Sequence, residues 1–489
     1  MKKIIVALDQ GTSSSRAIAF DDRGVKIAES QKEFTQIFPK DGWVEHDPEQ
    51  IWQSQYEVLC EVLHKVGPQN VEALGITNQR ETVIVWDARS GKPIYNAIVW
   101  QDRRTAGYCS FLESHQHSGM IREKTGLKLD PYFSATKLKW ILDNVPGARQ
   151  KAGAGELRFG TVDTYLLWRL TAGRNHATDY SNASRTMLFN IHSLEWDKEL
   201  LSFFDIPAEL LPEIYPSSHF FGTFEFEGSK IPICSIIGDQ QSALFGQLCL
   251  EKGDVKNTYG TGCFLLMNTG DKLVKSKNGL LSTIAWGLDG KVTYALEGSV
   301  FVAGAVVQWL RDGIGIIKSS AQVEELASSV EDSAGVYFVP ALTGLGAPYW
   351  NPQARGTIVG LSRGTTAAHI ARAALEGIAF EVMDMVKLME TESQIAIHQL
   401  KVDGGAAANG LLLQIQADLL DTQVIRPVEL ETTALGAAYM AGLQIGMWKS
   451  VEELKGHWQA GARFAGRIGE AERQERIENW HKAIKKTLE

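Results

Sequence analysis

The stretch Asp9-Gln10-Gly11-Thr12-Ser13-Ser14-Ser15-Arg16 separates two apolar runs near the start of the chain. The runs Lys3–Leu8 (KIIVAL) and Ala17–Phe20 are typical of buried strands, so the octet is the turn region of a predicted hairpin. Gly11 allows the backbone to come close to a ligand, and the amides, the hydroxyls and Arg16 can donate to phosphate oxygens. Asp9 ends its strand where a carboxylate suits a Mg²⁺ ion that bridges such phosphates. Taken alone, the octet also fits a solvated Ser/Thr-rich hairpin, which is the simpler interpretation.

The same device recurs in the second half of the chain. Asp254–Gly262 (DVKNTYGTG) is a predicted strand that runs into a Gly-Thr-Gly turn, and the strand-like CFLLM follows it. A third glycine-rich turn, Asp403–Asn409, lies between the predicted strand His398–Val402 and the predicted helix Leu411–Leu420. The amino terminus of such a helix favours an anion. The two strand–Gly-Thr–strand units suggest two halves of related design, each with a phosphate-facing turn toward a shared cleft. Three such turns in one chain are hard to explain as coincidence.

The common nucleotide-binding motifs are missing from the sequence. There is no G-x-x-x-x-G-K-[ST] and no G-x-G-x-x-G that follows a strand and precedes an acidic residue about 20 positions on. The protein-kinase set of a Gly-rich loop, H-R-D and D-F-G is absent as well. A nucleotide site in this chain therefore belongs to another fold class.

Length and composition indicate a multidomain globular protein. A chain of 489 residues exceeds one ordinary core, and we predict a boundary near Leu250, which gives domains 1–250 and 251–489. The net charge of −9 and the lack of a basic run argue against nucleic acid as the main partner. Neither a signal segment nor an apolar run long enough to span a membrane is visible, and five cysteines without metal spacing are read as buried free thiols. We therefore expect a cytoplasmic protein without a membrane span.

The order of predicted elements favours an α/β architecture. Ile231–Ile237 reads as a buried strand that delivers Asp239, and Gln241–Leu248 reads as the helix after it. Phe301–Leu310 and Ala367–Met389 are predicted helices of the second half. Because each half begins with a hairpin, we expect two α/β domains with mixed sheets around a central cleft.

Two longer stretches resemble the signature patterns of one enzyme family. Tyr132–Asn144 (YFSATKLKWILDN) resembles the first pattern of the FGGY family of carbohydrate kinases, and Gly356–Glu376 (GTIVGLSRGTTAAHIARAALE) resembles the second. The resemblance covers essentially the full length of the chain. It implies two related actin-like ATPase (ribonuclease H-like) domains that close over ATP, and a homo-oligomer, either a dimer or a tetramer.

The resemblance also implies a reaction, the ATP-dependent phosphorylation of glycerol to sn-glycerol 3-phosphate. Arg80 and Glu81 follow a predicted strand, and a bidentate donor beside a charged acceptor suits the hydroxyls of a small triol. Asp239 is implied as the base that accepts the proton of the attacking hydroxyl and orients it in line. Without the resemblance, an ion pair at the surface and a helix N-cap are the plainer roles of these residues. Further glycerol contacts are implied for Trp100, Tyr132, Gln240 and Phe264.

The implied nucleotide contacts come from both halves. They are Thr12, Ser13, Ser14, Arg16, Thr261, Gly304, Gln308, Gly405 and Asn409, and Asp9 is implied as the Mg²⁺ residue, acting through water. For Gly304, close helix packing is the plainer explanation.

Two other functions also fit the sequence. One is a sugar or polyol kinase of the same family, against which the Arg80-Glu81 pair argues. The other is a nucleotide-dependent conformational protein, which would not need Asp239 beside a substrate-sized set of polar and aromatic residues.

Overall fold

The computed structural model describes residues 3–351 and 353–489, which separate into two compact units. The first unit runs to Leu248 and also includes Ser282–Tyr294 and Thr432–Trp458. The second contains Cys249–Leu281, Ala295–Glu431 and Gln459–Glu489. Two segments beyond Leu250 thus belong to the first unit. The first unit is therefore not one continuous stretch of chain, unlike the predicted domain 1–250, and the domain boundary stays a prediction.

The strands of the described residues alternate with helices along the chain. They are β1 (Ile4–Gln10), β2 (Ser14–Asp21), β3 (Lys26–Glu33), β4 (Gln36–Ile37), β5 (Glu45–His46), β6 (Val71–Asn78), β7 (Ile84–Asp87), β8 (Ala97–Ile98), β9 (Leu157–Gly160), β10 (Ala177–Asp179), β11 (Phe189–Asn190), β12 (Glu195–Trp196), β13 (Glu213–Tyr215), β14 (Ser218–Phe226), β15 (Ser229–Gly238), β16 (Val255–Tyr259), β17 (Cys263–Gly270), β18 (Leu281–Leu288), β19 (Lys291–Val300), β20 (Tyr337–Val339), β21 (Thr357–Val359), β22 (Gln399–Asp403), β23 (Gln423–Pro427) and β24 (Ala460–Phe464).

The first of the helices opens with Asp47-Pro48, where Asp47 is the N-cap and accepts from the amide of Glu49 at 2.9 Å. They are α1 (Pro48–Val66), α2 (Ala106–Ser114), α3 (Ser118–Thr125), α4 (Ser134–Asn144), α5 (Ala148–Gly153), α6 (Val162–Leu170), α7 (Tyr180–Ala183), α8 (Lys198–Phe204), α9 (Asp239–Gly246), α10 (Gly304–Asp312), α11 (Gln322–Ser328), α12 (Ala367–Ser393), α13 (Gly410–Leu420), α14 (Thr432–Gln444), α15 (Val451–Lys455) and α16 (Glu470–Leu488).

The first unit is built on a mixed sheet with the strand order β14-β15-β6-β1-β2-β3. The predicted hairpin of β1 and β2 is confirmed, with Asp9 opposite Arg16. Strand β6 runs parallel to β1 on one side and to β15 on the other. Every residue of β1 is buried, because strands flank it on both sides and α14 packs against it.

A close helix crossing joins α9 to α14 in the first unit. A side chain added at Gly436 would run into the backbone carbonyl of Ser242, and one added at Gly246 would run into the carbonyl of Thr432. Glycine at these two positions lets the helices approach backbone to backbone. This contact fixes α9, whose first residue is Asp239.

The second unit repeats the opening arrangement of the first. Its sheet has the order β18-β19-β17-β16-β22-β23-β24. Strand β16 pairs antiparallel with β17 and parallel with β22, as β1 pairs with β2 and β6. The expected duplication of a hairpin and a mixed α/β sheet is thereby confirmed.

One helix begins later than predicted. Helix α10 starts at Gly304 instead of Phe301, because the amide of Ala303 donates to the carbonyl of Thr261 at 2.8 Å and the amide of Gly304 donates to that of Gly260 at 3.0 Å. These amides bind the neighbouring turn. The prediction of a helix start at Phe301 was therefore wrong.

Two bulk expectations can be compared with the described residues. Among them, no helix is both long and apolar enough to cross a membrane. All five cysteines are free thiols, and four of them are buried. Cys60 on α1 is half-buried, which corrects the expectation that every thiol is enclosed.

Candidate active site

Three parallel strands of the first unit end at the same edge of its sheet. In the strand register Gln10 lies beside Asn78, and Asn78 lies beside Gly238. The residues that follow these strand ends are the first Gly-Thr turn (residues 11–13), the segment Gln79-Arg80-Glu81 and Asp239. Ligands of α/β proteins bind at such carboxyl edges. The topology thus brings the sequence-predicted residues of the first unit together.

Arg80 is buried at the centre of this edge, with 3% of its surface exposed. Its Nε lies 3.2 Å from Asp239 Oδ1, and its Nη1 donates to Gln241 Oε1 at 3.1 Å. Its Nη2 donates to the hydroxyl of Tyr132 at 3.4 Å. The plainer interpretation of Arg80-Glu81 as a surface ion pair is therefore wrong, because both side chains are enclosed.

Asp239 is the first residue of α9, and its side chain is 28% exposed. Its Oδ1 accepts from the amide of Gln240 at 2.7 Å, and the N-cap position belongs to Gly238. The N-cap role considered for Asp239 is therefore wrong. The positive end of the helix dipole and the Arg80 guanidinium both lie next to a carboxylate that a ligand can reach.

Glu81 has a backbone conformation that is unusual for its residue type, with φ at 62°. Such strain costs about 1–3 kcal/mol and persists only where neighbours hold it. Arg185 Nε donates to Glu81 Oε1 at 2.6 Å, and Ser134 Oγ donates to the Glu81 carbonyl at 3.1 Å. Arg185 is fully buried and is a site residue that sequence reasoning missed. Its position 104 residues after Glu81 left no local signal.

The backbone around Tyr132 is held by a buried lysine. Lys137 Nζ donates to the carbonyls of Pro131, Tyr132 and Phe133, at 3.0, 2.5 and 3.0 Å. Burial lowers the pKa of Lys137 to about 8. The lysine lies inside the first signature-like stretch, but the pattern alone did not indicate its role.

The remaining implied glycerol contacts fall in two groups. The indole of Trp100 meets the ring of Tyr132 edge to face, with ring centroids 5.6 Å apart, and Gln240 is half-buried next to Asp239. Phe264 belongs to the second unit, where it is half-buried on β17 opposite Thr258. The structure thus gathers the residues of the first unit, while Phe264 stays a prediction.

In the first Gly-Thr turn, the amide of Gly11 donates to the carbonyl of Ser14 at 3.0 Å. Ser13 is exposed, and Thr12 and Ser14 are half-buried. Arg16 Nη2 donates to Asp9 Oδ2 at 2.5 Å, so these two candidates form an ion pair.

The Asp9 carboxylate fits the expected Mg²⁺ ion. Mg²⁺ usually keeps several waters and takes one or two carboxylates together with substrate phosphates. The described residues contain no group of three or more metal-ligating side chains. A single buried carboxylate beside a Gly-Thr turn is consistent with a Mg²⁺ ion that is held mainly by nucleotide and water.

In the second unit, Gly304 packs against the second Gly-Thr turn (residues 260–262). A Cβ at Gly304 would lie 2.7 Å from the carbonyl oxygen of Gly260, so the close-packing role considered for this glycine applies. Thr261 is exposed, and Gln308 is exposed one helical turn after Gly304. These residues therefore lie near one another in the second unit.

The third turn follows β22, which neighbours β16. Gly404 has φ of 86°, which favours glycine, and Gly405 begins a 3-10 helix that is exposed at this residue. Asn409 caps α13, since its Oδ1 accepts from the amide of Leu412 at 2.9 Å. Arg426 Nη1 donates to the carbonyls of Ala407 and Ala408, both at 3.0 Å, and was missed by the sequence analysis. The turn is thus fixed by a helix cap and an arginine.

Both halves of the chain match domain models of one protein family. Residues 4–246 match the N-terminal domain of the FGGY family of carbohydrate kinases, and residues 255–445 match its C-terminal domain. The chain is 58% identical to a glycerol kinase of Carboxydothermus hydrogenoformans over 100% of this chain and 99% of that protein. It is 57% identical to glycerol kinase 2 of Thermotoga maritima, over 99% of each.

Solved structures show the same similarity. The crystal structure of Plasmodium falciparum glycerol kinase with ADP has a TM-score of 0.95 and 37% identity, over 100% of this chain and 99% of that one. The ligand-bound xylulose kinase of Lactobacillus acidophilus has a TM-score of 0.87 and 22% identity, over 99% of this chain and 97% of that one, which shows the shared fold alone.

Proposed function

Because the chain belongs to the FGGY family of carbohydrate kinases, we propose that this enzyme transfers the γ-phosphoryl group of ATP to glycerol, giving sn-glycerol 3-phosphate. The glycerol kinases that it resembles over their full length, one of them crystallised with ADP, support this choice of substrates. The observation that carries the proposal is the meeting of Arg80, Glu81, Tyr132 and Asp239 at one strand edge, with Arg80 Nε 3.2 Å from Asp239.

In this proposal Arg80 and Glu81 hold the hydroxyls of glycerol. The guanidinium donates, the carboxylate accepts, and both are fixed by buried neighbours before the substrate arrives. Trp100 and Tyr132 line the carbon chain, and we assign the same role to Phe264 of the second unit. A small, fully hydroxylated substrate suits this combination.

Asp239 accepts the proton of the terminal hydroxyl. The hydroxyl oxygen forms a bond to the γ-phosphorus while the bond between that phosphorus and the β,γ-bridging oxygen breaks, and ADP leaves with the bond's electron pair. Because phosphoryl transfer passes through a loose transition state, the carboxylate acts mainly by orienting the nucleophile in line.

The nucleotide contacts are proposed for the two Gly-Thr turns and the third turn. Thr12, Ser13, Ser14 and Arg16 would contact phosphates from the first unit, and Thr261 would do so from the second. Gly304 and Gln308 would lie near the ribose or the phosphates, and Gly405 and Asn409 would flank the adenosine. Asp9 would hold Mg²⁺ through its waters, and the ion would neutralise phosphate charge.

Substitution of the proposed base tests this assignment. Asp239→Asn keeps the size of the side chain but removes its basicity, so we expect glycerol phosphorylation to fall by at least two orders of magnitude. Asp271→Asn is the matched control, since Asp271 is exposed in the second unit. The Asp239→Asn variant should unfold at the same temperature as the unaltered chain and still bind ATP. Glycerol-dependent turnover within tenfold of the unaltered chain would remove Asp239 from this role.

A further inference from the structure

Trp100 is joined directly to the first Gly-Thr turn. Its indole Nε1–H donates to Thr12 Oγ1 at 3.0 Å. An indole nitrogen can only donate, so the threonine oxygen must be the acceptor. The hydroxyl proton of Thr12 therefore points away from the indole, where it is available for donation to another acceptor.

A second route runs from the same residue to the same turn. The backbone amide of Trp100 donates to Thr82 Oγ1 at 3.2 Å, and Thr82 Oγ1 in turn donates to Gln79 Oε1 at 2.9 Å. Gln79 Nε2 then donates to the carbonyl of Gly11 at 3.0 Å. Thr82 is fully buried, and 1% of Gln79 is exposed. The amide at the start of this chain sets the direction of each following hydrogen bond.

The backbone of Thr12 is fixed independently. Gln36 Nε2 donates to the Thr12 carbonyl at 3.0 Å, and Gln36 Oε1 contacts His46 Nε2 at 2.6 Å. Burial lowers the pKa of His46 to about 4, so its ring is neutral at physiological pH and donates to Gln36. With the backbone held, the main freedom of Thr12 lies in the direction of its hydroxyl.

We infer that Trp100 is a positioning residue for the nucleotide as well as a wall for glycerol. Its indole N–H turns the Thr12 hydroxyl so that the O–H donates to a phosphoryl oxygen. The inference rests on the proposed function, since it assigns a role within that same site.

The test is a double-mutant cycle on Trp100→Phe and Thr12→Val, with steady-state kinetics for both substrates. Trp100→Phe retains an aromatic wall but removes the N–H, so we expect the KM for ATP to rise about threefold to tenfold, with a smaller change for glycerol. Thr12→Val should raise the KM for ATP to a similar or greater extent, and Thr12→Ser should restore it. The double variant should be no worse than Thr12→Val, because both changes remove one shared interaction.

Trp86→Phe is the matched control. The indole N–H of Trp86 is buried without a hydrogen-bond partner among the described residues, so this change removes packing but no hydrogen bond. We expect it to lower stability without changing the ratio of the two KM values.

The outcomes separate the inference from the proposed function. If the unaltered chain shows no glycerol-dependent turnover, the proposed function fails. If it does turn over and Trp100→Phe leaves the KM for ATP unchanged, or if the two changes are additive, the inference is overturned. If Trp100→Phe does not fold, the hydrogen bond is tested instead by comparing the indole ¹⁵N–H spectra of the unaltered chain and of Thr12→Val. Thr12→Val should shift one of the 13 tryptophan signals, and an unchanged spectrum contradicts the hydrogen bond.

Discussion

Arg80, Glu81 and Arg185 form a buried row of alternating charge in the first unit. Arg185 Nε lies 2.6 Å from Glu81 Oε1, and Arg80 Nε lies 3.8 Å from the same atom. A buried charge is costly unless a partner compensates for it. Glu81, whose carboxylate is proposed to bind glycerol, is therefore held in place by Arg185, to which we assign no contact with the substrate.

We predict that Arg185→Met weakens both folding and glycerol binding. Removing one partner of a buried ion pair costs about 3–5 kcal/mol, because the other charge is left uncompensated. Urea unfolding measures this loss, and kinetics should show a larger rise in the KM for glycerol than in that for ATP. Arg185→Lys should recover part of both. Arg311→Met, at an exposed pair with Asp312, is the control and should have little effect. Equal changes in both KM values would contradict a positioning role.

Lys137 gives the site a pH dependence. Its ammonium supplies three donors to three carbonyls, and a neutral amine supplies only two. Since burial lowers the pKa to about 8, the lysine loses its proton as pH rises through that value, and the segment that carries Tyr132 loosens. We predict that the KM for glycerol rises between pH 7 and 9 and that Lys137→Met abolishes this rise. Identical profiles in both proteins would contradict this role.

The same shift has a defined effect on stability. The unfolded chain keeps its proton up to about pH 10.5, whereas the folded chain releases it near 8. Between these values the unfolded state binds more protons, so this side chain makes the free energy of unfolding rise with pH. Lys137→Met should remove that contribution.

The crossing of α9 and α14 positions Asp239, the residue proposed as the base. We predict that Gly436→Ala destabilises the protein by about 1–3 kcal/mol and lowers kcat, because the new methyl group meets the backbone carbonyl of Ser242, which cannot rotate away. Thermal unfolding and turnover measure both effects. Gly119→Ala on the exposed face of α3 is the control and should be neutral or slightly stabilising, since nothing lies within 4 Å of the added atom. A neutral Gly436→Ala would show that α9 can shift freely.

Local elements were predictable, and their partners were not. The β1–β2 hairpin and the start of α1 depend on neighbouring residues, namely two apolar runs, a glycine and an Asp-Pro cap, so the sequence indicates them. The packing of α14 on β1 and β6 joins segments more than 350 residues apart, and no local pattern specifies that contact. The late start of α10 has the same cause, because its first amides bind a distant turn.

The candidate site follows the same rule. Arg80, Glu81 and Asp239 stand directly after strands, where both the pattern and the family resemblance indicate a site. Arg185 and the hydrogen bond from Trp100 to Thr12 act across long sequence separations, and Lys137 acts through the backbone carbonyls of its own segment. Residue type alone did not reveal these supporting contacts.

The overall fold does not by itself determine which substrate is phosphorylated. The similar xylulose kinase structure shows that the same architecture serves a protein named for another substrate. We therefore propose that substrate choice depends on side chains such as Arg80 and Glu81, which follow a strand of this fold. The proposed preference for glycerol is a claim about these side chains.

The most direct test measures ATP consumption by the purified chain with and without glycerol, and identifies the product by ³¹P nuclear magnetic resonance. We predict that glycerol strongly stimulates ADP formation and that one sn-glycerol 3-phosphate appears for each ATP consumed. Dihydroxyacetone, erythritol and pentuloses at the same concentration should be phosphorylated more slowly. If glycerol gives no stimulation, or if a pentulose is phosphorylated faster than glycerol, the proposed function is contradicted.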